Sequence, residues 1–124
     1  QLVPDGEMPV RDASLFAFTS TTRPEGILRL DREGGIMISC DSLQNWVGPD
    51  EFFDDSTIAT MQKMNFFTET GIGLAWIHAG EPKADDFVRL KKLPFRHALC
   101  GHGEPAVGDV QPGYHAAFQR FFNV

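Results

Sequence analysis

Three short apolar runs separated by turn residues occupy residues 15–40 and constrain the fold more than any other feature. Residues 15–19 are rich in aromatic side chains, and residues 27–30 alternate partly between apolar and polar side chains. Residues 31–35 form a hairpin-like turn into residues 36–40, which are almost wholly apolar. Such a run is typical of a strand that is buried on both faces. We therefore predict a sheet built from these segments.

The rest of the chain alternates helical patterns with one further strand. A helix is predicted to begin at Asp54–Ser56, whose side chains offer capping oxygens, and another to run over residues 84–92. Residues 96–100 predict a short buried strand, and Pro112 suits the first turn of a terminal helix. Residues 71–83 contain three glycines and a proline and predict a long loop. One face of the terminal helix is predicted to carry Tyr114, Phe118, Phe121 and Phe122. The three phenylalanines are expected to form a core-facing stripe, or an interface if the chain self-associates.

This order of elements indicates a layered fold of the α/β or α+β class. The 124 residues suffice for one domain with a real core but not for two. We predict an irregular arm over residues 1–14, where prolines and a glycine stand among polar groups, and a single domain over residues 15–124.

Charge, hydropathy and cysteine content indicate which partners and which cellular compartment we expect for the chain. The formal net charge of −6 argues against non-specific nucleic-acid binding, which depends on phosphate neutralisation by Lys and Arg. No apolar run approaches the roughly 20 residues that span a bilayer, so we expect no membrane insertion. The two cysteines, Cys40 and Cys100, do not make a disulfide framework, and we expect a cytoplasmic protein. Both are predicted to be small apolar core residues, with a disulfide between them left open.

Two predicted strands end in residues that are able to bind metals. Asp41 follows the apolar run 36–40, and His102 follows residues 96–100 between two glycines. The carboxyl ends of strands in layered α/β sheets are where ligands usually bind. A carboxylate and an imidazole suit zinc, iron or manganese. The alternative is that Asp41 binds local amides in a turn and that His102 is an ordinary loop histidine.

The strand before Asp41 and the later segment Gly101-His102-Gly103-Glu104-Pro105 resemble the carboxy-terminal half of the metallo-β-lactamase superfamily, over roughly residues 15–122. The resemblance implies half of an αββα sandwich, with a mixed sheet covered by helices on one face. It also implies that Asp41 corresponds to the aspartate that bridges two metals. His102 then corresponds to the last histidine of the family, which binds the second metal.

The sequence departs from the family in its other ligands. Residues 21–26 are similar to the family's Gly-His-Thr-Pro-Gly element, but Thr22 stands where the histidine belongs. The family's His-x-His-x-Asp-His motif, which lies in the amino-terminal half, has no counterpart here. A catalytic zinc takes three protein ligands, so a third would have to come from another half, another chain, Glu104 or Asp109. The remaining histidines stand isolated: His78, His97 and His115.

Three interpretations remain open at this point. The chain is a metal-dependent hydrolase completed by a separate amino-terminal half, a degenerate domain without catalysis, or a product that folds by pairing with itself. Because half of the sandwich would leave an apolar sheet face uncovered, we expect a homodimer or a larger assembly. We expect zinc, iron or manganese to bind weakly or not at all to the isolated chain, and we assign neither catalytic residues nor a small-molecule substrate.

Overall fold

The computed structural model describes Met8 and residues 10–124 and contains strands and helices in a mixed α+β arrangement. Their order and bounds are β1 (Ala13–Ala17), β2 (Gly26–Leu30), β3 (Ile36–Ser39), β4 (Leu43–Trp46), α1 (Asp55–Lys63), β5 (Thr68–Ile72), α2 (Leu74–Gly80), α3 (Ala84–Leu90), β6 (His97–Leu99) and α4 (Gln111–Phe122). The arm predicted for residues 1–14 falls mostly outside the described residues, and β1 begins two residues before the predicted start of the domain.

The main sheet has four strands in the order β1-β2-β3-β6. The pairs β1–β2 and β2–β3 are antiparallel, whereas β3 and β6 run parallel. A second, antiparallel sheet consists of β4 and β5. The parallel pair brings the carboxyl ends of two segments that are distant in sequence side by side.

Several predicted elements are confirmed. Strands β2, β3 and β6 and helices α3 and α4 lie where the sequence patterns predict them, and β1 lies two residues earlier than predicted. Helix α1 begins as expected, with the Asp54 carboxylate accepting a hydrogen bond from Thr57 N at 2.7 Å.

The prediction of a loop over residues 71–83 is wrong. Strand β5 extends to Ile72, and α2 occupies Leu74–Gly80, between Gly73 at its N-cap and Glu81 in a left-handed conformation. The glycines that suggested a loop therefore lie within or next to the ends of regular elements. Close packing requires glycine at Gly73, where a Cβ would lie 2.1 Å from the carbonyl oxygen of Asp41. Strand β4 was also not predicted, because its central residues are polar.

The core lies on one face of the four-stranded sheet. Its buried strand residues alternate along the sequence, and those at paired positions share this face. Helices α3 and α4 supply the opposing side chains, and the rings of Phe87 and Phe122 stack with their centroids 3.9 Å apart. Tyr114 and Phe118 are buried, as a core-facing stripe predicts, whereas Phe121 is exposed, so the core position predicted for Phe121 is wrong. The buried residues contributed by the sheet are Phe16, Ile27, Met37, Ser39 and Ala98.

A buried carboxylate fixes α3 against the end of β1. Asp86 is 1% exposed and accepts hydrogen bonds from the backbone N–H and hydroxyl groups of both Thr19 and Ser20. Burial acts to raise the pKa of Asp86, but the hydrogen bonds from Ser20 and Thr19 outweigh it and hold the pKa below its ordinary value.

None of the helices formed by the described residues has the length and apolarity needed to cross a membrane.

Candidate functional site

The parallel pairing of β3 and β6 brings the two predicted site residues together. Ile36 is paired with His97, and Asp41 and His102 each lie five residues after these paired positions. The segments that follow β3 and β6 leave the sheet at the same end, so two residues that are distant in sequence become neighbours in space.

Asp41 and His102 are in direct contact. His102 Nε2 lies 2.9 Å from Asp41 Oδ1, at hydrogen-bonding distance. The side chains of His102 and Asp41 are 52% and 50% exposed, so the pair is open to solvent and to solutes. The structure thus places the carboxylate and the imidazole in one accessible position.

The glycines around His102 allow the turn that presents its ring. Gly103 has a φ of +83°, and a Cβ at this position would lie 2.2 Å from the carbonyl oxygen of Asn45. A Cβ at Gly101 would lie 2.6 Å from the carbonyl oxygen of Cys40. Both positions therefore require glycine, Gly103 for its backbone conformation and both for close approach of neighbouring backbone.

The side chain of Asn45 connects three segments at the site. Its Nδ2 donates to Glu104 O at 3.1 Å, and its Oδ1 accepts from Thr70 N at 3.1 Å. Its backbone N–H points to His102 O at 3.4 Å. Asn45 is buried and so holds the His102 turn against β5. Asn45 was not predicted from the sequence as part of the site. The signal available was a polar pair, Gln44 and Asn45, between apolar neighbours.

Trp46 forms the wall on which His102 lies. The two rings are almost parallel, at an interplanar angle of 9°, with their centroids 5.9 Å apart. Trp46 is itself fixed by edge-on or tilted contacts with Phe53, Phe66 and Phe67. The indole face and the aromatic cluster behind it restrict the rotation of the histidine ring.

An open cleft of about 480 Å³ adjoins the pair. Its charged groups are Arg23, Glu25 and Asp41, and two tryptophans contribute apolar walls. Its lining residues are Arg23, Pro24, Glu25, Asp41, Gln44, Trp46, Phe66, Gly73, Ala75, Trp76, Ala79, Gly80 and His102. This volume accommodates a small molecule beside Asp41 and His102.

Thr22 forms structural hydrogen bonds at the position where the sequence resemblance implied a histidine. Its hydroxyl donates to Ala79 O at 3.0 Å, and its backbone N–H donates to Gly80 O at 2.9 Å. These bonds connect the segment to the end of α2. The same segment contributes Glu25, whose Oε1 accepts a hydrogen bond from Ser42 N at 3.2 Å, directly after Asp41.

A third metal ligand is absent from the part of the chain that the structure describes, where no three His, Cys, Asp or Glu residues are arranged to hold a metal ion. The two acidic residues considered from the sequence are exposed, and Asp109 pairs with Arg96 at 2.7 Å. His97 Nδ1 accepts a hydrogen bond from Gly108 N, and His115 packs beside Phe118.

The prediction that both cysteines are core residues is wrong for Cys40, which is exposed because it lies in the turn after β3. Partial burial, followed by the negative charges of Asp41 and Glu25, raises the pKa of the Cys40 thiol. A protonated thiol is a poor nucleophile at neutral pH. Cys100 is half-buried, its Sγ lies 3.3 Å from Tyr114 Oη, and burial raises the pKa of its thiol. Both thiols are free.

The comparisons leave this geometry as the main guide to function. No family model, no curated protein and no solved structure matches this chain.

Proposed function

We propose that this chain is a metallo-β-lactamase-like half-domain that binds one divalent transition metal weakly through Asp41 and His102 and does not hydrolyse substrates alone. The supporting observation is the 2.9 Å contact between an aspartate and a histidine at the carboxyl ends of adjacent parallel strands. A strand-end aspartate beside a glycine-flanked histidine is also the arrangement that the sequence resemblance implies.

The two side chains fit a metal ion by their chemistry. A carboxylate oxygen and an imidazole nitrogen suit zinc, iron and manganese, and both side chains are half-exposed, so a hydrated ion reaches them without a large desolvation cost. The stacking of His102 on Trp46 restricts the ring in advance of binding. Two ligands are fewer than the three of a catalytic zinc site, which predicts weak binding.

The same geometry defines what the residues contribute to chemistry. A bound metal would supply Lewis acidity and lower the pKa of a bound water. Asp41 and His102 would hold the ion at the mouth of the cleft, and Trp46 would fix the imidazole plane. Without a third ligand in the described part of the chain, this set does not assemble a hydrolytic centre, and we propose that the isolated domain is inactive.

A second candidate function is a hydrolase completed by a separate amino-terminal half that supplies further ligands. The open cleft of about 480 Å³ beside the pair favours it, because a small-molecule substrate could bind there next to Asp41 and His102. Turnover of ester, lactam or phosphodiester substrates by the isolated chain with added zinc, lost in Asp41→Asn, would contradict both the proposed inactive domain and the need for a second half.

Isothermal titration with zinc tests the proposal. We expect at most one ion per chain, with a dissociation constant weaker than about 10 µM, and loss of the signal in Asp41→Asn and His102→Gln. Glu69→Gln is the control, because Glu69 is an exposed carboxylate on β5 that does not line the cleft beside Asp41 and His102. Two tightly held ions, or binding unchanged by both site variants, would contradict the proposal.

A further inference from the structure

The four-stranded sheet has a second face, opposite to the core, on which no residue is fully buried. We call it the outer face. Strand pairing sets its side chains in two rows across the sheet. One row consists of Leu15, Leu28, Ile38 and Leu99, and the other of Ala13, Leu30, Ile36 and His97. Leu99, at the end of the first row, is 38% exposed. The sheet is therefore apolar on both faces, and Met8 and residues 10–124 form a packed core on only one of them.

The outer face carries no acidic or basic side chain in either row except His97, whose Nδ1 already accepts a hydrogen bond. The chain as a whole has a formal net charge of −6, so its charges lie elsewhere. A partner attracted by charge would find no complementary groups on this face. A neutral face, by contrast, lets two copies of an acidic chain approach without like charges meeting at the contact.

The outer face continues towards the candidate site. A shallow groove of about 540 Å³ crosses Leu15, Leu28 and Ile38, and it ends at Pro24 and Glu25. These two residues also line the cleft beside Asp41 and His102. A molecule that covers the outer face therefore reaches the rim of the cleft.

We propose that the outer face binds a second copy of this chain in a two-fold, sheet-on-sheet dimer. Two copies of one sheet have the same twist, which is the condition for aligned packing at about −30° between their strands. A two-fold axis brings the same neutral rows into contact from both sides, so the contact is self-complementary.

The size of the face limits the area that a dimer can bury. Four strands about 4.8 Å apart, with up to five residues of about 3.3 Å each, cover roughly 300 Å² of flat sheet. With side-chain relief and the surrounding turns, two copies bury on the order of 1,000 Å², at the lower limit of stable interfaces. The dimer should therefore dissociate on dilution in the micromolar range.

Analytical ultracentrifugation of the full chain from about 1 to 200 µM tests the proposal. We expect the mass to rise from 13.8 kDa to twice this value, and Leu28→Glu to keep the chain monomeric throughout. Phe52→Glu is the control, because Phe52 is 85% exposed and lies outside the outer face. A wild-type chain that stays monomeric at 200 µM, or a dimer lost equally in Phe52→Glu, would overturn the proposal.

Leu99→Glu is a second test variant, for the case in which Leu28→Glu does not fold. Leu99 lies at the end of the short strand β6 and is already partly in water, so a glutamate there is compatible with the monomer fold. Circular dichroism checks that both variants fold. Monomers in the folded variant or variants support the outer face, and a dimer that persists in a folded variant excludes it. Zinc titration is independent of this result and tests the metal site separately.

Discussion

At the scale of single residues, the site depends on how a few side chains are held in place. Asp41 and His102 are in contact in the structure, whereas Thr22 is hydrogen-bonded to the end of α2. The two ligand-type residues were predictable because each follows an apolar strand. Their contact was not, because it depends on the parallel register of β3 and β6, which the sequence does not display.

Asp86 offers a test of the buried hydrogen bonds that fix α3. Asp86→Ala leaves the donors of Thr19 and Ser20 without their acceptor, and we expect it to lower the free energy of unfolding by about 3 kcal/mol. Asp85→Ala is the control, because Asp85 is the exposed neighbouring carboxylate in the same helical turn; it should cost about 0.5 kcal/mol. Urea unfolding measures both, and equal effects would contradict this role.

The lowered pKa of Asp86 predicts that the stability of the fold depends on pH. The pKa of Asp86 in the folded state lies below its ordinary value, which is about 3.9 in an unfolded chain. Its stabilisation is therefore complete above about pH 5 and is lost as the pH falls through the folded pKa. Wild type should lose more stability than Asp86→Asn between pH 5 and pH 3. Parallel losses in the two proteins would show that Asp86 does not drive acid unfolding.

At the scale of elements, the pattern of apolar runs predicted the main strands and three helices, but it failed for β4, β5 and α2. Strand β4 carries Gln44 and Asn45, whose polar groups are satisfied inside the fold, so no alternation of apolar residues marks it. Helix α2 follows Gly73, where a Cβ would lie 2.1 Å from Asp41 O. Glycines selected for close packing look like loop glycines in a sequence.

Three glycines, Gly103, Gly108 and Gly48, separate the cost of a positive φ from the cost of a steric clash. Gly103→Ala combines a φ of +83° with a clash against Asn45 O and should cost at least about 2 kcal/mol of unfolding free energy. Gly108→Ala has a φ of +113° but no atom within 4 Å, so it should cost about 1 kcal/mol. Gly48→Ala has neither and should change stability by under about 0.5 kcal/mol. Thermal or urea unfolding checks the order, and Gly103→Ala as mild as Gly108→Ala would contradict it.

At the scale of the whole molecule, one sheet carries both the site and an apolar outer face. The class of fold was predictable from the order of strands and helices, because each pattern has its own period. The half-sandwich architecture and its metal remain proposals that rest on the site geometry and the sequence resemblance. An uncovered apolar sheet face was expected from the sequence resemblance. Which residues form it follows only from the strand register, since Leu28, Leu30, Ile36 and Ile38 all look like core residues in the sequence.

The central claim is that a metal binds between Asp41 and His102, and imidazole NMR spectra of the chain titrated with zinc test it most directly. The chain has four histidines, and we predict that zinc shifts or broadens the ring signals of His102 first. The signals of His78, His97 and His115 should change little, and Asp41→Asn should weaken the effect on His102. An unchanged His102, or a first response at another histidine, would contradict the assignment of the metal site.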